Sequence, residues 1–150
     1  MATTLTRILI HFIFSTKNRE PLITAEIEPR LHAYMGGIGK NHDSPVLAIN
    51  GMPDHVHLLV SISKRVSASD LMEVVKKESS LWIKQQGKEF ASFYWQEGYA
   101  GFSIGESAID QVSAYIADQK RHHRKTTFRE ELLMFLKKYR VEYDERYLWT

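Results

Sequence analysis

Cysteine is absent from this chain of 150 residues, and its absence excludes several classes of function. Disulfide frameworks, thiolate zinc sites and cysteine nucleophiles all require a thiol. Any metal site must therefore be built from histidine, carboxylate or amide groups. Seven histidines are available for that purpose.

The chain also lacks a hydrophobic run of membrane-spanning length. Its most apolar stretch, residues 8–14, is too short for a transmembrane helix, and no signal-peptide cleavage pattern follows it. We therefore expect a cytoplasmic protein with no membrane partner.

A strong excess of either charge is missing too, since 20 lysines and arginines stand against 18 aspartates and glutamates. The distribution is less even, because residues 119–140 hold eight basic residues and two glutamates. A local basic cluster suits a polyanion such as nucleic acid. A solvated helix face is the commoner explanation of a charge run, and it stays open here.

The length and the 43% hydrophobic content are enough for one domain with a proper core and short for two. No internal repeat, linker or low-complexity stretch divides the sequence. We predict a single domain over residues 1–150.

Alternating apolar residues and turn-forming pairs predict the secondary structure. Four segments are typical of strands: residues 6–16, 45–49 and 55–63, and a fourth around Gly98. The second and third are predicted to form a hairpin, because residues 50–54 contain Asn-Gly and Pro-Asp pairs. Capping residues indicate four helices: from Thr24 to about 41, from Ser67 to before 87, from Ser107 to about 123, and from Thr127 onward.

The predicted order is β-α-β-β-α-β followed by two helices. It matches the ferredoxin-like plan, an antiparallel sheet with helices on one face. The fold class is therefore predicted as α+β, with a C-terminal helical segment that carries Tyr115. The last helix has an apolar stripe formed by Phe128, Leu132, Phe135, Leu136 and Tyr139.

His55 and His57 form the most informative pair in the sequence. Side chains two positions apart on a strand point to the same face, so the two imidazoles are expected to converge. The residues that point the other way are Val56, Leu58, Val60 and Ile62. We expect the apolar set to face the core and the histidines to lie on the opposite face, free to hold a metal ion. A His-x-His pair also arises by chance, so a structural role stays open.

Tyr115 and Gln119 lie four positions apart in the third predicted helix and therefore share one edge of it. His122 lies one turn further along that edge. By themselves they are better explained as a half-buried tyrosine beside a solvated glutamine.

Together these segments resemble the single-tyrosine HUH transposases of the insertion-sequence 200/605 type, including their REP-associated relatives. The segment around His55-Val56-His57 is similar to the family's His-hydrophobic-His signature, and Tyr115-Ile116-Ala117-Asp118-Gln119 to its Y-x-x-x-Q motif. Further matches are His11 with Thr16-Lys17-Asn18-Arg19, and Trp95-Gln96-Glu97-Gly98-Tyr99. The resemblance spans about residues 7–125.

The resemblance implies a transposase mechanism. A divalent metal, Mg²⁺ or Mn²⁺, would be held by His55, His57 and Gln119, and Tyr115 would attack the DNA phosphate. The implied product is a 5′-phosphotyrosine adduct with a free 3′-hydroxyl, which can later rejoin the strands without a nucleotide cofactor. The implied partners are single-stranded DNA with hairpin ends and a second copy of the chain, in a homodimer.

Six basic residues are candidates for DNA contacts, and each is equally well explained as surface charge: Lys17, Arg19, Lys120, Arg121, Arg124 and Lys125. His122 and His123 either touch phosphate or are simply exposed. His11 is interpreted as structural, and core packing is the preferred role for Trp95 and Tyr99.

Two other functions fit the same residues. A domesticated or inactive relative would bind DNA hairpins without turnover. A metal-dependent phosphoesterase would use His55 and His57 to activate water, and Tyr115 would then be structural.

Overall fold

The computed structural model of the protein describes residues 2–149. Its strands and helices are, in chain order, β1 (Ile8–Ser15), α1 (Glu28–Asn41), β2 (Val46–Met52), β3 (His55–Ile62), α2 (Ala68–Lys84), β4 (Ala100–Ile104), α3 (Ile109–Ala117), α4 (Gln119–His122), α5 (Phe128–Lys138) and α6 (Glu145–Leu148). None of the helices in this part of the chain is long and apolar enough to cross a bilayer.

The four strands form one antiparallel sheet in the order β2-β3-β1-β4. With α1 following β1 and α2 following β3, this is the ferredoxin-like arrangement, and the predicted α+β class is confirmed. β1 lies between β3 and β4, as its continuous apolar pattern indicates.

The first face of the sheet carries the larger part of the core. Alternate residues of β1 and β3 pack there against α1 and α2, as the period of two requires. The buried strand residues of this face are Phe12, Phe14, Val56, Leu58, Val60 and Ile62. The prediction that the residues between and after the two histidines face the core is therefore correct.

The second face carries His55 and His57, as predicted, and helices cover it. Helices α3 and α4 lie against β2, and α5 places Phe128, Leu132, Phe135 and Leu136 against Ile13 and Phe102. The C-terminal helices thus cover the histidine-bearing face, because their apolar stripes need a surface on which to be buried. His55 and His57 are consequently enclosed and not solvent-exposed.

The hairpin is tighter than the sequence indicates. β2 runs on through Asn50, Gly51 and Met52, and only Pro53 and Asp54 form the turn. Gly51 pairs with Val56, and a β-carbon at Gly51 would lie 2.1 Å from the His55 carbonyl oxygen. Glycine here therefore allows close approach of two strands and does not mark a turn.

The third predicted helix is broken. Asp118, with φ −98° and ψ 18°, ends α3 and precedes α4, so Tyr115 and Gln119 lie on opposite sides of the break. The other predicted boundaries of helices and strands agree more closely with the structure. Ser67 caps α2, and Thr127 forms a capping box at α5. The fourth strand begins two residues after Gly98, and α1 begins at Glu28, later than predicted from Thr24.

Candidate metal and nucleophile site

His55 and His57 lie side by side on β3, and both side chains are completely buried. Their rings are 5.2 Å apart between centroids. Gln119, the first residue of α4, reaches them from above the sheet, with Oε1 at 3.3 Å from His55 Nε2. The three predicted metal ligands therefore meet within one chain.

The carboxylate of Glu131 lies at the centre of this group. Its Oε1 atom is 2.8 Å from His57 Nε2, 3.1 Å from His123 Nε2 and 3.4 Å from His55 Nε2. Its Oε2 atom accepts a hydrogen bond from Gln119 Nε2 at 3.2 Å. Glu131 is 1% exposed, so a buried carboxylate is surrounded by the groups predicted to bind a cation.

The far nitrogens of the two strand histidines are held by a second set of partners. His55 Nδ1 is 2.7 Å from Asp54 Oδ1, and His57 Nδ1 is 2.8 Å from His11 Nε2. Such bonds fix the orientation of an imidazole and leave its other nitrogen aimed at the centre of the site. His11 is itself buried, consistent with its expected structural role.

Tyr115 points into the same cluster from α3. Its hydroxyl donates a hydrogen bond to Glu131 Oε2. The ring stacks on His122 at 4.4 Å and meets Phe135 edge-on at 5.5 Å. Burial, and then the hydrogen bond to the charged Glu131, raise the pKa of the Tyr115 phenol well above its usual value.

The electrostatics of the cluster combine a buried carboxylate with the imidazoles around it. Burial alone would raise the pKa of Glu131, but hydrogen bonds from His123, His55 and His57 hold it far below its usual range. Burial lowers the pKa of His55, yet bonds to Asp54 and Glu131 outweigh this and leave it raised. Burial lowers the pKa of His57, which therefore stays neutral and able to bind a metal.

The residues present fit a divalent metal ion. His55, His57, His123 and Glu131 each offer one ligand atom, and these atoms all lie within 4.8 Å of one another. Imidazole nitrogen and carboxylate oxygen are established ligands of divalent metals. A cation would also balance the buried negative charge of Glu131.

Sequence reasoning did not find Glu131, His123 or Asp54. A signal was present for Glu131, because it lies three positions after Phe128 and four before Phe135, within the apolar stripe of α5. His123 lies four positions after Gln119, on the same side of the chain as that ligand. The His123 side chain is 5% exposed, so it is not simply exposed, and its Nε2 atom contacts Glu131.

Three of the six predicted DNA-contacting residues line one cleft beside the site: Arg19, Arg124 and Lys125. The cleft has a volume of about 570 Å³, and Asp54, His123 and Phe128 also border it. It therefore connects basic side chains directly with the histidine cluster.

The other three basic residues are placed differently. Lys120 forms an ion pair with Glu28 at 2.8 Å and a hydrogen bond to the Gly51 carbonyl. Lys17 lies over the Tyr94 ring, and Arg121 is exposed on α4. Among the aromatics, Trp95 packs against the core as expected, whereas Tyr99 is 41% exposed.

Comparisons with known proteins agree on one family. A family model described as "Transposase IS200 like" matches residues 4–119. The ISDra2 transposase TnpA of Deinococcus radiodurans is 25% identical over 114 residues, covering 73% of this chain and 81% of the relative.

Two solved structures have the same fold. A candidate transposase from Deinococcus radiodurans R1 has a TM-score of 0.62 at 21% identity, covering 79% of this chain and 95% of that one. A REP-associated tyrosine transposase bound to a REP hairpin has a TM-score of 0.61 at 14% identity, covering 82% and 72%.

Proposed function

The chain belongs to the IS200-like transposase family, and we propose that it cleaves and rejoins single-stranded DNA through a covalent bond to Tyr115. The observation that carries the proposal is the contact between the Tyr115 hydroxyl and Glu131, the carboxylate that His57 and Gln119 also contact. A nucleophile and a set of metal ligands then share one buried centre. This pairing is what phosphoryl transfer to a protein side chain needs.

In the proposed reaction the Tyr115 oxygen attacks a backbone phosphorus atom in line with the bond to the 3′ oxygen. The new bond joins the phenol oxygen to phosphorus, and the bond from phosphorus to the 3′ oxygen breaks. The phenol gives up its proton, and the leaving oxygen takes one to become a 3′-hydroxyl. The adduct keeps the phosphodiester energy, so the reverse attack by a 3′-hydroxyl rejoins the strands without a nucleotide cofactor.

We propose that His55, His57 and Gln119 hold a divalent metal, Mg²⁺ or Mn²⁺, during this reaction. When bound, such an ion polarises a phosphate oxygen and neutralises developing negative charge. The protein's own contribution is to orient the two imidazoles through Asp54 and His11 and to exclude water with α5.

The proposed substrate is single-stranded DNA marked by hairpins. Support comes from the relative that was solved bound to a REP hairpin and from the basic cleft beside the cluster. Arg19, Arg124 and Lys125 would neutralise phosphates on either side of the cleaved bond, so affinity should fall with salt. Lys17, Lys120 and Arg121 stay candidates for contacts outside the cleft.

We further propose that the protein acts in the cytoplasm and that it is a homodimer, as the family resemblance implies for the assembly. The mass of the purified protein in solution, measured by light scattering after size-exclusion chromatography, tests the assembly. A monomer at all concentrations, with and without hairpin DNA, would contradict it.

The decisive experiment is the capture of a covalent adduct. End-labelled single-stranded hairpin DNA is incubated with the protein and Mn²⁺ or Mg²⁺, and label on the protein is measured on denaturing gels. We expect an adduct with the native protein and none with Tyr115→Phe. The matched control is Tyr34→Phe, because Tyr34 stacks on Trp82 on the other face of the sheet.

The outcomes separate the alternatives. Cleavage of the DNA without an adduct would favour a metal-dependent phosphoesterase, in which activated water attacks. Hairpin binding with neither cleavage nor adduct would favour an inactive relative. An adduct that persists in Tyr115→Phe would show that another residue is the nucleophile.

A further inference from the structure

Two of the four clustered ligand groups lie outside the segment matched by the family model. The match ends at residue 119, whereas His123 follows α4 and Glu131 lies on α5. Family membership therefore assigns no role to either residue. Their place in the site is a property of this chain's C-terminal helices.

The ligand composition bears on which ion the site prefers. Three of the four groups are imidazoles, and only one is a carboxylate. Mg²⁺ prefers oxygen ligands and keeps several of its waters, whereas imidazole suits first-row transition metals. His55, His57 and Glu131 are at most 1% exposed, so their ligand atoms face one another and not bulk solvent.

The spacing of the ligand atoms also fits a small transition metal ion. Bonds of ~2.1 Å in a tetrahedral site place neighbouring ligand atoms about 3.4 Å apart, and closer when more ligands are present. The separations from Glu131 Oε1 to the three imidazole nitrogens are 2.8, 3.1 and 3.4 Å. Small side-chain movements are therefore enough to receive an ion between them.

The second set of partners supports metal binding by the two strand imidazoles. His55 and His57 each have Nδ1 within hydrogen-bond distance of a fixed neighbour, Asp54 or His11, and Nε2 directed at Glu131. Metal-binding histidines generally have this arrangement, with one nitrogen held by a carboxylate or similar group and the other on the metal.

We propose that His55, His57, His123 and Glu131 form a site selective for a first-row transition metal ion over Mg²⁺. Gln119, the third ligand of the proposed function, adjoins this set, with Oε1 at 3.3 Å from His55 Nε2 and Nε2 at 3.2 Å from Glu131 Oε2. The inference rests on the proposed function because it concerns the same site. It specifies which class of metal ion the transposase uses there. It makes Glu131 the residue that connects the metal centre to Tyr115.

The first test measures metal affinity without DNA. Metal-free protein is titrated calorimetrically with MgCl₂, MnCl₂ and CoCl₂. We expect Mn²⁺ to bind at least ten times more tightly than Mg²⁺, and Co²⁺ more tightly than Mn²⁺, in line with the general order of divalent-metal affinities. Equal or tighter binding of Mg²⁺ would overturn the proposal.

The second test uses variants with matched controls. We expect Glu131→Gln and His123→Asn each to lower Mn²⁺ affinity at least tenfold. The controls are Glu73→Gln on α2 and His42→Asn after α1, which make the same chemical changes away from the site, and these should bind as the native protein does. Native affinity in both Glu131→Gln and His123→Asn would refute the assignment.

The visible spectrum of Co²⁺ bound to the native protein provides a measurement that needs no variant. Four or five mixed nitrogen and oxygen ligands should give intense absorption bands, whereas an octahedral, largely hydrated ion gives weak ones. Weak bands would overturn the proposal even if a variant failed to fold. Adduct formation is measured separately, so failure of the metal site and failure of the tyrosine mechanism are distinguishable.

Discussion

Asp54 should control metal affinity although it does not point at the centre of the site. Its Oδ1 atom is 2.7 Å from His55 Nδ1. Its backbone carbonyl accepts a hydrogen bond from the Thr16 amide at 2.9 Å, which any side chain at position 54 retains. Substitution of Asp54 therefore removes the side-chain partner of His55 Nδ1 and leaves the turn in place.

The expected magnitude follows from the kind of bond that is lost. Removing the partner of a metal-binding histidine typically lowers metal affinity by about 10- to 100-fold, or ~1.4 to 2.7 kcal/mol. The Asp54 side chain is 30% exposed, so solvent screening places Asp54→Ala near the lower end. Asp54→Asn keeps a neutral acceptor, which is roughly half as strong, and should lose about three- to fivefold.

Calorimetric titration with Mn²⁺ measures these affinities, with Asp43→Asn as the control. Asp43 is an exposed residue with φ of 52°, a conformation that asparagine tolerates well. We expect Mn²⁺ affinity to be highest in the native protein, lower in Asp54→Asn and lowest in Asp54→Ala. Native affinity in Asp54→Ala would refute the argument that His55 needs a fixed partner to bind metal.

The same substitution has a pH signature in the metal-free protein. Burial lowers the pKa of His55, but the bonds to Asp54 and Glu131 leave it raised. A raised pKa in the folded state contributes stability that is full below the unfolded value of ~6.5 and is lost as pH rises through the folded pKa. Asp54→Ala should therefore lose more unfolding free energy at pH 5 than at pH 9, as urea denaturation would measure.

Three other changes have definite expected results. Thr127→Ala removes the capping box of α5 and should cost ~1 kcal/mol of unfolding free energy in urea; no loss would mean that the cap is redundant. His32 has a buried Nε2 with no hydrogen-bond partner among residues 2–149, and burial lowers its pKa. His32→Leu should therefore stabilise the protein, more at pH 5 than at pH 8 because the unfolded histidine gains a proton below ~6.5, and the reverse pH trend would contradict this. Arg124→Gln and Lys125→Gln should each reduce the slope of log affinity against log salt by ~0.7 for single-stranded DNA, and an unchanged slope would exclude phosphate contact.

The sheet and its first core face could be predicted from the sequence because they depend on local rules. The period of two assigned Val56 and Leu58 to the core, and capping residues located α2 and α5. The break at Asp118 could not be predicted in this way, because no proline or glycine marks it. The turn at residues 50–54 was predicted too long, since Asn-Gly reads as a turn unless the close approach at Gly51 is known.

The candidate site was only partly predictable for a related reason. His55 and His57 share a face by strand geometry, and Tyr115 and Gln119 were linked to them only through family resemblance. Glu131 is fixed by tertiary packing, since the register of α5 against Ile13 and Phe102 decides which glutamate is buried. A periodicity search for charged residues inside an apolar stripe would have separated Glu131 from its exposed neighbour Glu130.

The four ligand groups come from distant parts of the chain, with Glu131 and His57 separated by 74 positions. Closing such a span costs conformational entropy, so the full set assembles only when α5 has docked on the finished sheet. A partly folded chain would offer the His55-x-His57 pair alone, which is a much weaker ligand. The free energy of metal binding then contributes to the free energy of folding of the C-terminal helices. The absorption of bound Co²⁺ would therefore time the docking of α5 during refolding, separately from the formation of the sheet.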